Sequence, residues 1–222
     1  MEARYRQDYP GEFVVVKSTW SGGKKTQDRE WIPNPIENQH ISGRSVCIGS
    51  CDSHVNQQFD HKILQRHRGG LLGTLKLQTY GIGSIAEDMR LDFTVEVDPI
   101  QLKKLVDDSY CENNVVYTTA KNCINNPGEF YLIPHAVGLL MPALPIYLAA
   151  FDGHKEIFLL GYSTEMRFDN PRWFNDVYDV IAAYSGIQFY LVGESTNMPD
   201  LWLECANTKT MNYREFVGYC DI

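Results

Sequence analysis

Gly153-His-Lys-Glu-Ile-Phe-Leu-Leu-Gly161 is the stretch whose reading decides the fold, together with the run Tyr147-Leu-Ala-Ala-Phe-Asp152 that leads into it. The four apolar residues at 157–160 lie between a Gly-His-Lys turn and a glycine, which reads as a short strand. With the helix expected ahead of it, this makes one αβ unit, whose loop is expected at the ligand-binding edge of a sheet.

Similar apolar runs stand at 45–49, 71–77, 91–97, 115–119 and 187–192, most of them separated by segments long enough for crossover helices. That alternation predicts an α/β domain with a mainly parallel sheet. Helices are expected over 54–67, with Val55, Phe59, Ile63 and Leu64 on one side, and over 100–106, 136–150 and 171–185. Ahead of this domain, 12–17 reads as a short strand. Ser21-Gly-Gly-Lys-Lys-Thr26 and Trp31-Ile-Pro-Asn-Pro-Ile36 are turn punctuation, so residues 1–42 are expected to be an irregular N-terminal extension packed on a single domain at 43–222.

A chain of 222 residues with 44% hydrophobic and 22% charged residues can bury a core without staples, which argues against a disordered tail or a disulfide mini-protein. The six cysteines form no CxxC pair, as expected of reduced thiols, and no metal site is expected. The N-terminus has no apolar signal region and the longest apolar stretch is broken by Pro142 and Pro145, so no membrane partner and a cytoplasmic location are expected, the host's cytoplasm if the source is a virus. The net charge of −8 is uneven: residues 1–76 hold 11 Lys/Arg against 8 Asp/Glu, the rest 9 against 20. A polyanion would therefore meet the N-terminal third, where Lys24, Lys25, Arg66 and Arg68 are the candidate DNA-binding residues and Trp20 or Trp31 can stack on a base.

Three constellations can carry chemistry. Ile48-Gly-Ser-Cys-Asp-Ser53 follows a strand, and its small residues let main-chain N–H groups approach a phosphate while Ser50 and Ser53 add hydroxyls. The same turn also serves sterics alone, and it lacks the GxGxxG and Walker patterns of dinucleotide and P-loop enzymes. Thr94-Val-Glu-Val-Asp-Pro99 puts Asp98 at a strand end, as a ligand-facing carboxylate or a plain helix cap. His135 reads as a base, a phosphate ligand or a helix cap, and Gly161, Tyr162, Ser163 and Glu165 are expected to share a crevice with Ser50 and Asp98.

These segments resemble the sialyltransferase-like group: lipooligosaccharide sialyltransferases, motility-associated glycosyltransferases and the related hydroxymethylpterin diphosphokinases. The resemblance spans about residues 43–220 and implies a single Rossmann-like domain. The Gly153–Gly161 piece is its strongest signal. It implies nucleotide-binding roles for Gly49, Ser50, Ser53, Thr74, Gly161, Tyr162 and Ser163. Cys51 and Asp52 stand where the family's phosphate loop has glycine and proline, Ser163 replaces an aspartate, and no histidine follows His154 to act as base, which leaves Asp98, Asp52 and His135 as candidates. The expected activity is transfer of a sugar from a UDP- or CMP-linked donor, with no obligatory cofactor, to an acceptor hydroxyl, the suggested acceptor being hydroxymethylated bacteriophage DNA. The alternatives are a Mg-dependent pterin-type diphosphokinase, using Asp98 with Glu96 or Asp88, and a nucleotide-binding interaction protein without catalysis.

Overall fold

The computed structural model describes residues 2–5, 12–33, 43–49, 64, 77–87, 89–134, 138–164, 166, 168, 170–194 and 197–220. The 157–160 run is the centre of an eight-stranded sheet made of β4 (Arg44–Ile48), β5 (Gln78–Ile82), β6 (Phe93–Val95), β7 (Val115–Thr118), β8 (Tyr131–Leu132), β9 (Glu156–Leu160), β10 (Gln188–Val192) and β11 (Thr208–Met211). Strands β1 (Glu2–Tyr5), β2 (Glu12–Ser21) and β3 (Lys24–Pro33) form a separate antiparallel sheet. The large sheet has the order β11-β10-β9-β4-β5-β6-β7-β8, and each of its pairings is parallel.

Parallel strands are covered on both faces, which is why these segments read as continuous apolar runs. Val46, Ile48, Phe158, Leu160 and Val192 belong to one buried cluster with Leu64, Ile85 and Phe216; Cys47, Ile157, Leu159, Phe189 and Leu191 belong to another. In β9 all four residues of the 157–160 run have no exposed surface. At about 1.5–3 kcal/mol for each fully buried large apolar side chain, this short strand is a principal anchor of the sheet.

Six helices lie among the described residues: α1 (Pro99–Asp107), α2 (Ala120–Asn125), α3 (Leu144–Phe151), α4 (Trp173–Ala183), α5 (Asp200–Leu203) and α6 (Tyr213–Cys220). The buried residues of α3 and α4, with Trp202 of α5, join the cluster of Cys47 and Leu159, whereas Phe216 of α6 joins that of Val46 and Phe158. The chain thus runs outward from β4 to β8, returns to β9 on the other side of β4, and wraps both faces. This is a Rossmann-like arrangement, and its order reverses between β4 and β9.

Several expectations are corrected. A strand lies at Gln78–Ile82, later than the expected 71–77, of which only Leu77 is described. The helix expected over 136–150 is a 3₁₀ turn at Met141–Ala143 followed by α3, with Pro142 and Pro145 placed in the first turns where their missing N–H is harmless. Within 54–67 only Leu64 is described, and it is helical and buried. The N-terminal extension is not irregular: β2 and β3 pair over ten residues each, across a two-residue turn at Gly22 (φ 57°) and Gly23 (φ 79°). Positive φ at both central positions is the turn that matches the twist of a hairpin, and glycine adopts it without strain.

Candidate functional site

In an open parallel sheet the strand order reverses where two adjacent loops part in opposite directions, leaving a crevice beyond the C-terminal ends. Here that place lies between Ile48-Gly49 and Leu160-Gly161-Tyr162-Ser163. The Gly49 N–H donates to the Leu160 carbonyl at 3.0 Å, carrying the strand pairing one residue past β4. A β-carbon on Gly49 would lie 2.9 Å from two carbons of the Tyr162 ring, so glycine is required there by contact with that ring. Tyr162 has no exposed surface, its hydroxyl donates to the Pro142 carbonyl at 3.0 Å, and burial raises its phenol well above the ordinary range. The expected nucleotide contact of Tyr162 is therefore corrected to a supporting role: it is the floor beneath Gly49. Ser163, half-buried, follows it at the crevice.

Two strands from β4, the end of β6 carries a pair of carboxylates. Glu96 is buried, and its Oε1 accepts from the N–H groups of Val97 at 2.8 Å and Asp98 at 2.9 Å. Burial raises its carboxyl, while bonds from the main chain of Asp98, Val97 and Gly83 oppose that. A side chain at Gly83 would collide with Glu96 Oε2, so the end of β5 is shaped around this carboxylate. Asp98 is exposed and its Oδ1 accepts from the Ile100 N–H at 2.9 Å, capping α1 with Pro99 at the first helical position. By register Gly49 is level with Val95, two strands away, and Asp98 follows three residues later.

The structure therefore brings Gly49 together with Gly161, Tyr162 and Ser163, and places Asp98 further along the same edge. Ser50, Asp52, Ser53, Arg66, Arg68, Thr74, Asp88, His135 and Glu165 lie outside the described residues, while Lys24 and Lys25 are exposed on β3 of the small sheet. The Gly153-His-Lys turn is not at the ligand-binding edge. It precedes β9 and so sits at the N-terminal ends of the strands, opposite the crevice.

At that opposite edge lie polar groups that sequence reasoning missed. The Tyr80 hydroxyl donates to Asp152 Oδ2 at 2.7 Å and lies 2.9 Å from His154 Nε2, all three residues being buried. Burial, and then the charge of Asp152, raise the Tyr80 phenol well above its usual range. Nearby, Glu156 accepts from Arg44 Nε at 2.7 Å and from the hydroxyls of Tyr219 and Tyr190, and the Arg44 guanidinium lies 4.9 Å above the Tyr219 ring. Burial alone would raise the Glu156 carboxyl, but the bonds from Tyr219 and Arg44 outweigh it and hold the group below its ordinary value. One signal was available: Asp152 directly after a helix and Glu156 opening an apolar strand are charged residues at positions that burial reaches.

Among the described residues no group of three His, Cys, Asp or Glu side chains is placed to hold a metal ion, and no helix is long and apolar enough to cross a membrane. The described cysteines, Cys47, Cys111, Cys123, Cys205 and Cys220, are free thiols. Comparison with protein-family profiles, curated proteins and solved structures finds no match to this chain.

Proposed function

We propose that the chain is a glycosyltransferase that binds a nucleotide-activated sugar in the crevice between β4 and β9. The observation that supports it is the reversal of strand order at Gly49 and Gly161, the place where open α/β sheets take nucleotides. Gly49, kept small by the Tyr162 ring, ends β4, and Ser50 and Ser53 follow in the sequence as hydroxyl donors for a phosphate. As the acceptor oxygen attacks the sugar's anomeric carbon, the bond from that carbon to the nucleotide phosphate breaks, and charge grows on the phosphate. Main-chain N–H groups after Gly49 would meet that charge, and a base, Asp98, Asp52 or His135, would take the acceptor's proton. The proposed acceptor is hydroxymethylated DNA, and the proposed donor is UDP- or CMP-linked.

The diphosphokinase alternative needs Glu96 or Asp88 beside Asp98 as metal ligands. Glu96 is already occupied by main-chain N–H groups, which weighs against it. Thermal-shift measurements with UDP, CMP, GDP, and ATP plus Mg²⁺ separate the readings. Stabilisation by UDP or CMP with sugar turnover supports the transferase, ATP with Mg²⁺ alone supports the kinase, stabilisation without turnover leaves the nucleotide-binding interaction protein, and no shift with any of them overturns all three. Under the transferase reading, Asp98→Asn lowers turnover about a hundredfold with little change in melting if Asp98 is the base. Normal turnover assigns it to capping alone and moves the base to Asp52 or His135.

A further inference from the structure

Every residue from Thr19 to Thr26 at the tip of the β2–β3 hairpin is exposed, and Trp20 stands 72% exposed. By contrast, Trp173 and Trp202 are buried in the core. The tip is held in one shape by the Gly22-Gly23 turn and by Thr26 Oγ1, which donates to the Thr19 carbonyl at 3.3 Å. Its register sets Lys25 directly opposite Trp20 and Lys24 opposite Ser21. Residues opposite one another share a face of a ribbon, so Lys25 flanks Trp20 and Lys24 lies on the reverse face. The segment 19–26 has two lysines and no acid, on a chain of net charge −8.

An aromatic ring beside ammonium groups is the chemistry that grips a single strand, the ring stacking on a base and the cations meeting phosphates. The neighbours of Trp20 are hydroxyls, glycines and lysines, which give neither the apolar face a bilayer requires nor the apolar surround of a protein interface core. A stacked duplex offers no base face to the ring. The geometry points to the hairpin tip as a binding arm for single-stranded nucleic acid, with Trp20 stacking on an unpaired base and Lys25 and Lys24 neutralising flanking phosphates. This arm functions whether or not the β4–β9 crevice transfers a sugar.

The test is fluorescence anisotropy of labelled oligothymidylate and oligouridylate of about a dozen nucleotides with the full chain, at about 50 mM salt and above. Binding is expected, with Trp20→Ala weakening it about tenfold and Trp20→Phe restoring most of the loss. Replacing both lysines, Lys24→Gln with Lys25→Gln, should flatten the log–log salt dependence by about 1.4. All variants should melt with the parent, because the tip is exposed. Wild-type affinity in Trp20→Ala overturns the proposal, as does absence of binding to both oligonucleotides, or binding to phosphatidylglycerol vesicles in their place. No nucleotide donor is present, so this test and the nucleotide panel fail independently.

Discussion

The two edges of the eight-stranded sheet are built from different groups. At the N-terminal ends, side chains bond to side chains: Tyr80 with Asp152 and His154, and Glu156 with Arg44, Tyr219 and Tyr190. At the C-terminal ends, β4, β5, β9 and β10 each give way to a glycine, at Gly49, Gly83, Gly161 and Gly193. Groups already bonded to one another have little left for a ligand, whereas the glycines of the other edge make room for the Tyr162 ring at Gly49 and for Glu96 at Gly83, and the reversal of strand order there is where open sheets take ligands. The motif richest in chemical side chains, Gly153-His-Lys-Glu, is therefore a clamp, and the chemically plain edge is the candidate site. Asp152→Ala tests the clamp most severely, because it takes the acceptor from the buried Tyr80 hydroxyl. It should cost about 3 kcal/mol in urea unfolding while nucleotide-induced stabilisation persists. Loss of the nucleotide response at unchanged stability would reverse the assignment of the two edges.

Gly49→Ala probes the other edge with a smaller effect. The added methyl meets the Tyr162 ring, which is held by its bond to Pro142, and either the ring or the main chain must shift. A stability loss of about 1–3 kcal/mol is expected, together with weaker nucleotide binding, since the displaced segment leads into the proposed phosphate loop. Tyr162→Leu removes the obstacle at its own cost, so the double variant should be more stable than the two single losses predict. Strict additivity would mean that Gly49 answers to something other than the ring.

The same contrast explains what could be read in advance. The strands at β4, β7, β9 and β10 were legible because both faces of a parallel strand are buried, and an unbroken apolar run records that directly. Strand β5 escaped because Gln78, Thr79 and Gly81 interrupt the run although all three are buried. The polarity of Thr79 is matched from the next strand's approach, where Asp92 Oδ2 accepts from both its N–H and its hydroxyl at 2.8 and 2.9 Å. Such a long-range match leaves no local periodicity. Edge strands β8 and β11 are short or partly exposed and carry little pattern. Strand β3 is charged, yet Gly22-Gly23 after an apolar run was a hairpin signal that reading it as mere punctuation passed over. At the site, the strand-end positions and the cap at Asp98, one of its two readings, were legible, but the burial of Tyr162 depends on which way its side chain turns.

The smallest expected effect concerns the half-buried Glu156 cluster and its dependence on pH. In the folded chain the bonds from Tyr219 and Arg44 hold the Glu156 carboxyl below its ordinary value despite burial, which alone would raise it. A carboxylate depressed by folding stabilises the native state above its unfolded pKa, near pH 4.5, and that contribution disappears as pH falls through the lower folded value. Glu156→Gln keeps the shape but removes the charge that faces Arg44. The difference in unfolding free energy between wild type and variant should be about 1 kcal/mol at neutral pH, modest because Arg44 is partly exposed, and should shrink toward zero in acid. Salt should reduce it for the same reason. Urea titrations at a series of pH values measure this directly. A difference that stays constant or grows as the pH falls would mean that the hydrogen-bonding shape of Glu156, not its charge, fastens this edge. Nucleotide stabilisation in Glu156→Gln should match wild type, because the substitution lies at the end of the strands opposite the crevice.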